Sequence, residues 1–120
     1  MKNIVLVFFL INLYISQTIT VYGLITDKSS GEAMIGANVF IKNTEFGSYS
    51  DKNGFYSITI DDYTKEEVLV VQYVGYRTIR KQITLLDKNS NPINNGRAKE
   101  NFALEISSLE LKVEEITGEQ

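Results

Sequence analysis

The stretch that decides the fold is Phe46–Ile58, FGSYSDKNGFYSI, in which polar residues around Asp51 separate two runs rich in aromatic side chains. Oxygen-bearing residues in such a position are typical either of a cation site or of a tight turn between strands. A calcium loop of the EF-hand type has Gly at its sixth position and Glu at its twelfth, whereas Gly54 is only fourth from Asp51. A β-hairpin requires only that Asp51 and Asn53 accept turn conformations and that Gly54 adopt a positive φ. We therefore predict a hairpin turn and no metal site.

The composition is that of one ordinary globular domain. The chain has 120 residues, of which 43% are hydrophobic and 22% are charged. His and Cys are both absent, which excludes Ser-His-Asp and Cys-His nucleophiles, the usual zinc sites and disulfides. The net charge of −3, without a basic stripe, argues against a nucleic-acid partner. We predict that the protein is not an enzyme and holds no cofactor.

The first sixteen residues differ from the rest of the chain. Lys2 precedes an apolar run, Ile4–Ile11, which is the pattern of a secretory signal peptide. A membrane-spanning helix needs about 20 apolar residues, so this run is too short to cross a bilayer. The alternative is a buried first strand or helix. We predict a signal peptide over residues 1–16, cleavage after Ser16, and an exported chain without a transmembrane segment.

From Ile19 onward the sequence alternates between apolar and polar residues in short runs separated by turn signals. This pattern predicts six or seven short strands in an all-β sandwich or small barrel spanning residues 17–107. The run VLVVQYV, residues 68–74, is almost continuously apolar and predicts a central strand. The residues that the alternation places in the core are Val21, Ile25, Val39, Ile41, Tyr56, Ile58, Leu69, Val71, Tyr73, Phe102 and Leu104, with Ile106 on the same face as the last two.

Tyr73 and Tyr76, in the segment QYVGYR, allow two interpretations. Two neighbouring phenol rings can form a platform on which a ligand stacks. Aromatic residues in strands more often pack against the core or across a strand pair. We expect packing rather than ligand binding.

Taken together, these segments resemble the carboxypeptidase-regulatory-like domains, which are small transthyretin-like β-sandwiches. The family's Gly-containing first strand, Asp, G-E loop and G-A-N-V strand are matched by residues 23–39, and its D-x-x-G-x-Y turn by residues 51–56. The V-G-Y end of a later strand is matched by residues 74–76. The resemblance implies a seven-stranded sandwich. Gly36, Gly54 and Gly75 fall where turns or a strand irregularity need glycine.

In the Bacteroidetes type of this architecture, the domain stands at the N-terminus of TonB-dependent outer-membrane receptors, after the signal peptide. The acidic segment 108–120 resembles the linker that follows it. The residues that match a TonB box in style are Val113, Glu114, Glu115, Ile116, Thr117 and Gly118.

The resemblance implies a non-catalytic interaction module in the periplasm or at the outer membrane, with the TonB C-terminal domain or a receptor barrel as partner. No plug or barrel pattern is present in these 120 residues. The alternative function is a free-standing secreted or surface β-sandwich that binds carbohydrate or peptide.

Overall fold

Eight short strands build the part of the chain that the computed structural model describes, residues 17–107. This result confirms the predicted all-β sandwich, with one strand more than the resemblance implied. A 3₁₀ turn, Ile93–Gly96, precedes the seventh strand. The strands are β1 (Ile19–Asp27), β2 (Asn38–Ile41), β3 (Gly47–Tyr49), β4 (Phe55–Ile60), β5 (Glu66–Gln72), β6 (Ile79–Thr84), β7 (Arg97–Lys99) and β8 (Phe102–Leu104).

The strands form two four-stranded sheets. In the first sheet, β1 pairs antiparallel with β4 on one edge and parallel with both β7 and β8 on the other. In the second sheet the order is β3-β2-β5-β6, with every pair antiparallel. Strand β5 is therefore central, as its nearly continuous apolar run predicted.

The core lies between the sheets and follows the alternation of the sequence. In β4 every second residue is buried, and β1 alternates in the same way over most of its length. Ten of the eleven predicted core residues are buried, and Tyr73 is partly buried and packs against the core. Strand β5 ends at Gln72, and Tyr73 belongs to the bend that follows. Ile106 is 55% exposed because it lies beyond β8.

The turn at Asp51 differs in one respect from the predicted hairpin. The chain does turn between two strands, but β3 pairs with β2 in the second sheet, whereas β4 pairs with β1 in the first. The turn therefore passes the chain from one sheet to the other. Turn residues specify the local reversal, and pairing is decided by where each strand buries its apolar face.

The extra strand arises because the last core segment is interrupted opposite Gly23. At the interruption, Glu100 N donates to Tyr22 O, and the side-chain oxygen of Asn101 accepts from Leu24 N at 2.9 Å. The Tyr56 hydroxyl also donates to Glu100 O at 2.6 Å. A Cβ on Gly23 would lie 1.9 Å from Glu100 O, so only glycine allows this close approach.

Replacing Val71 by Asp is expected to destabilise the fold by roughly 3–5 kcal/mol, because the carboxylate must be desolvated or protonated in an apolar core. Val71 is fully buried on β5. The measurement is the urea midpoint of unfolding, with Gln72→Asp, at the exposed neighbouring position, as the matched control. Equal midpoints for the two variants would contradict the assigned face of β5.

Gly23→Ala is expected to cost about 2–3 kcal/mol, since the new methyl group meets backbone that cannot move without breaking the β1 pairing. Thr26→Ala, on the same strand, is the control and is expected to change stability by less than about 1 kcal/mol. Chemical denaturation of both variants measures the difference. A Gly23→Ala variant as stable as the control would show that Glu100 and Asn101 are not tightly packed against Gly23.

Candidate functional site

One end of the sandwich brings together segments that are far apart in the sequence. Ile25 N donates to Gly54 O at 2.8 Å, and Met34 N donates to Ile25 O at 3.0 Å, so the turn at Asp51 and the loop after β1 lie together. Ser107 N donates to Gly75 O at 2.9 Å and brings the end of the described chain to the same place. A shared surface is therefore built from loops that rigid strands position.

The Asp51 side chain is used within its own turn. Its Oδ1 atom accepts hydrogen bonds from Asn53 N at 2.8 Å and from Phe55 N at 3.0 Å, while Gly54 N donates to Asp51 O. Gly54 has a φ of 81°, a conformation in which a side chain is strained. This geometry is that of an Asx turn. Within residues 17–107, no group of three or more Asp and Glu side chains converges as a metal site would require.

Ser50 holds the neighbouring loop and was missed by the sequence analysis. It is only 4% exposed, and its hydroxyl donates to Met34 O at 2.6 Å while accepting from Ala37 N at 2.9 Å. Both bonds fasten the residues around Gly36, which has a φ of 79°. A serine within an exposed polar stretch gives no signal of burial, so the sequence could not have identified this role.

Four side chains hold the last described segment, residues 105–107, which we call the exit. These side chains form the exit clamp: Asp27, Lys28, Tyr76 and Glu105. The Tyr76 hydroxyl donates to Asp27 Oδ2 at 2.5 Å, and Lys28 Nζ lies 2.5 Å from Glu105 Oε1. Backbone bonds reinforce the clamp, since Tyr76 and Ile106 form an antiparallel bridge. Because the Lys28 and Glu105 side chains are exposed, solvent screens their ion pair, which contributes little to stability. The Tyr76–Asp27 hydrogen bond and the Tyr76–Ile106 backbone bridge therefore hold most of this segment in place.

The electrostatics of the clamp follow from its hydrogen bonds. The pKa of Asp27 is held well below its ordinary value, first by the Ser29 hydroxyl, then by the Tyr76 hydroxyl and by backbone N–H groups. The pKa of Tyr76 is raised, chiefly because its proton is shared with Asp27. The hydrogen bond and charge of Lys28 lower the pKa of Glu105. These shifts follow chiefly from the hydrogen bonds and charges within the clamp.

Beside the clamp lies an apolar groove of about 590 Å³. Three of its lining side chains are large, apolar and open to solvent, at 60%, 69% and 93% exposure for Ile35, Tyr49 and Val74. Its remaining lining is mostly polar or glycine. The groove is lined by Ile35, Gly36, Asn38, Tyr49, Gln72, Tyr73, Val74 and Thr78.

The two tyrosines considered as a stacking platform contact one another instead. The rings of Tyr73 and Tyr76 meet edge to face with centroids 5.4 Å apart. The Tyr76 hydroxyl is engaged by Asp27, while Tyr73 also lines the groove. Gly75, between them, has a φ of 85° and permits the bend that sets this geometry. The packing interpretation therefore holds for Tyr76, and Tyr73 contributes to both packing and the groove.

Several predicted features lie outside the described residues. They are the signal peptide over residues 1–16 and the tail from residue 108, including the TonB-box-like residues Val113, Glu114, Glu115, Ile116, Thr117 and Gly118. Between residues 17 and 107, no helix has the length and apolar content needed to cross a bilayer.

The two four-stranded sheets define the class of the protein, a small all-β sandwich domain. Residues 21–116 match the profile of the CarboxypepD_reg-like domain. Because the match extends over most of the chain, the protein belongs to this family, which confirms the resemblance drawn from the sequence.

Among characterised proteins, the chain is similar to the TonB-dependent receptor SusC of Bacteroides thetaiotaomicron. The two are 36% identical over 62 residues, which is 52% of this chain and 6% of that receptor. The matched segment is thus a small part of a much longer protein.

Solved structures show the same fold at lower identity. A putative membrane-associated protein of unknown function from Bacteroides fragilis gives a TM-score of 0.53 at 22% identity, covering 76% of this chain and 28% of that one. Hydroxyquinol 1,2-dioxygenase from Pseudomonas putida gives a TM-score of 0.52 at 14% identity, covering 79% and 58%. At these identities the likeness establishes the fold alone.

Acid is expected to weaken the exit clamp in a defined direction. Because the folded pKa of Asp27 is lowered, its contribution to stability is fully present above the unfolded pKa of about 3.9. The contribution is lost as the pH falls from that value towards the folded pKa. Asp27→Asn should therefore show a shallower decline in melting temperature in acid than the parent chain.

The measurement is a series of thermal unfolding curves across the acid range. Asp51→Asn is the control, because it changes a carboxylate whose backbone bonds lie within one turn and leaves the clamp intact. If Asp27→Asn and the parent lose stability identically with acid, the Asp27 carboxylate is not held by the clamp.

Proposed function

We propose that the chain is an exported, non-catalytic interaction module of the kind attached to TonB-dependent outer-membrane receptors, and that it acts in the periplasm. Residues 1–16 would serve as the signal peptide and residues 108–120 as the linker to a partner. Family membership and the similarity to a receptor of this class support the proposal.

The observation that carries the proposal is the clamped exit. Residues Glu105–Ser107 are bonded to the 75–77 bend at both ends, since Arg77 N donates to Glu105 O at 2.8 Å and Ser107 N to Gly75 O. The Tyr76–Asp27 bond then ties that bend to the end of β1. A chain held in this way leaves the domain at a fixed position and in a fixed direction. Such a fixed exit suits a module that is joined to a larger assembly.

The chemistry of the chain supports a non-catalytic role. With no His or Cys, general acid–base chemistry near neutral pH would require a carboxylate, lysine or tyrosine with a suitably shifted pKa. The lowered pKa of Asp27 and the raised pKa of Tyr76 move both groups away from neutrality. The pKa of Tyr56 is also raised, mainly by burial, so this hydroxyl too titrates far from neutral pH. These groups are suited to holding structure rather than to transferring protons.

For the partner, we propose that residues 113–118 add as a strand to the exposed sheet edge of the TonB C-terminal domain. In this mode main-chain hydrogen bonds provide affinity and alternate side chains provide specificity. Val113 and Ile116 favour an extended conformation, and the acidic residues keep the unpaired segment solvated.

Addition of the TonB C-terminal domain to the labelled mature chain is expected to shift the NMR signals of residues 112–118. Ile116→Pro should abolish the shifts, because proline removes a donor that strand pairing requires. Ile116→Val, which keeps the N–H, is the matched control and should retain them. Unchanged spectra at a large excess of partner would contradict TonB as the partner of this segment.

A further inference from the structure

The apolar groove leaves three large hydrophobic side chains uncovered within one small area. Val74 is almost wholly exposed, and Ile35 and Tyr49 are more than half exposed. Among the described residues, only Phe55 and Ile106 are comparably large, apolar and exposed. A cluster of exposed apolar side chains marks an interaction site or a ligand-binding groove.

The described chain ends next to Val74, one of the residues that line this groove. Tyr76 and Ile106 are paired antiparallel, and Ser107 N donates to Gly75 O. In an antiparallel pair, each step forward on one segment is a step backward on the other. If this pairing continued by one residue, residue 108 would come opposite Val74, which lines the groove.

The pairing cannot continue past this point. Towards the N-terminus from Tyr73 the chain enters β5, which ends at Gln72. Val71 of β5 is already paired with Val39 of β2 on one side and with Ile79 of β6 on the other. With both edges of β5 occupied, a further segment must leave the ladder. The groove is the adjacent surface, since Asn38, Gln72 and Tyr49 occupy one row across β2, β5 and β3.

The sequence after Ser107 has the pattern that such a surface requires. Residues 108–113, SLELKV, place Leu109, Leu111 and Val113 at every second position, with Glu110 and Lys112 between them. In an extended segment these three apolar side chains share one face and the charged side chains share the other.

We propose that residues 108–113 of this chain lie across the apolar groove, with Leu109 and Leu111 covering Ile35, Tyr49 and Val74. The occupant is this segment, rather than a second copy or a foreign peptide, because the clamp delivers the chain to the groove's edge. The proposal does not depend on TonB or on any other partner. Val113 is the one residue that this segment shares with the TonB-box-like segment, residues 113–118.

The test compares two doubly substituted forms of the mature chain. Leu109→Ser with Leu111→Ser removes the apolar face, while Glu110→Ser with Lys112→Ser changes the same number of residues on the opposite face. The readout is the set of amide NMR signals from Ile35 and Tyr49, on the wall remote from the exit. The leucine variant is expected to shift these signals, and the charge variant is expected to leave them near their parent positions. A synthetic peptide of residues 108–118, added to the leucine variant, should move the signals back.

Three results would overturn the proposal. Identical Ile35 and Tyr49 signals in all three chains would show that the leucines do not reach the groove. Equal shifts in both variants would show an effect unrelated to the apolar face. Shifts in the parent that depend on protein concentration would assign the groove to a second copy. Because no partner is present, these outcomes are independent of the fate of the TonB proposal.

Discussion

Strand β1 is hydrogen-bonded along both of its edges, and the rest of the structure depends on this double pairing. One edge holds β4 antiparallel, and the other holds β7 and β8 parallel. The bond between Leu24 and Asn101 joins residues 77 positions apart. Parallel strands need a long crossover between them, and here the intervening strands supply it, including all of the second sheet. The first sheet is therefore complete only when the last described strand is in place, which is typical of slowly folding all-β topologies.

The parallel direction of β8 also determines where the clamp and the candidate groove lie. Parallel neighbours finish at the same edge of a sheet, so the exit after Leu104 emerges beside Asp27 at the end of β1. An antiparallel last strand would have placed the exit at the opposite end, away from the groove. The interruption at Glu100 and Asn101, opposite Gly23, allows β7 and β8 to pair with β1 on either side of it. The clamp and the groove adjoin as a consequence of strand direction.

Much of the fold could be predicted because alternation reports directly on burial. In β4 each buried residue is followed by an exposed one, as its sequence indicated. The pairing of strands could not be predicted in the same way. The turn at Asp51 looks identical whether its flanking strands pair with each other or join different sheets. Ile106 shares an apolar face with Phe102 and Leu104 in the sequence, but it is exposed and lies past the end of β8.

The candidate site was less accessible to sequence reasoning because its members interact across long separations. Asp27 and Tyr76 each fall within a family motif, but nothing in one sequence indicates that they bond across 49 positions. Ile35, Tyr49 and Val74 stand in three different loops or strand ends, where an apolar residue gives no sign of which surface it joins. By contrast, the turn glycines were identifiable, because the conformations that Gly36, Gly54 and Gly75 adopt are strained for other residues.

A simple estimate shows why a clamped exit suits a surface of this size. A segment joined by a short linker experiences an effective concentration of about a millimolar. Half-occupancy of the groove then requires a contact worth about 4 kcal/mol on the molar scale. Full burial of one leucine side chain is worth roughly 1.5–3 kcal/mol, so two leucines provide about the required amount. The balance is close, which means that the docked segment would occupy the groove for a substantial part of the time and would be released by a partner that binds the neighbouring residues. Without the clamp the exit would not be directed at the groove, and the effective concentration there would fall.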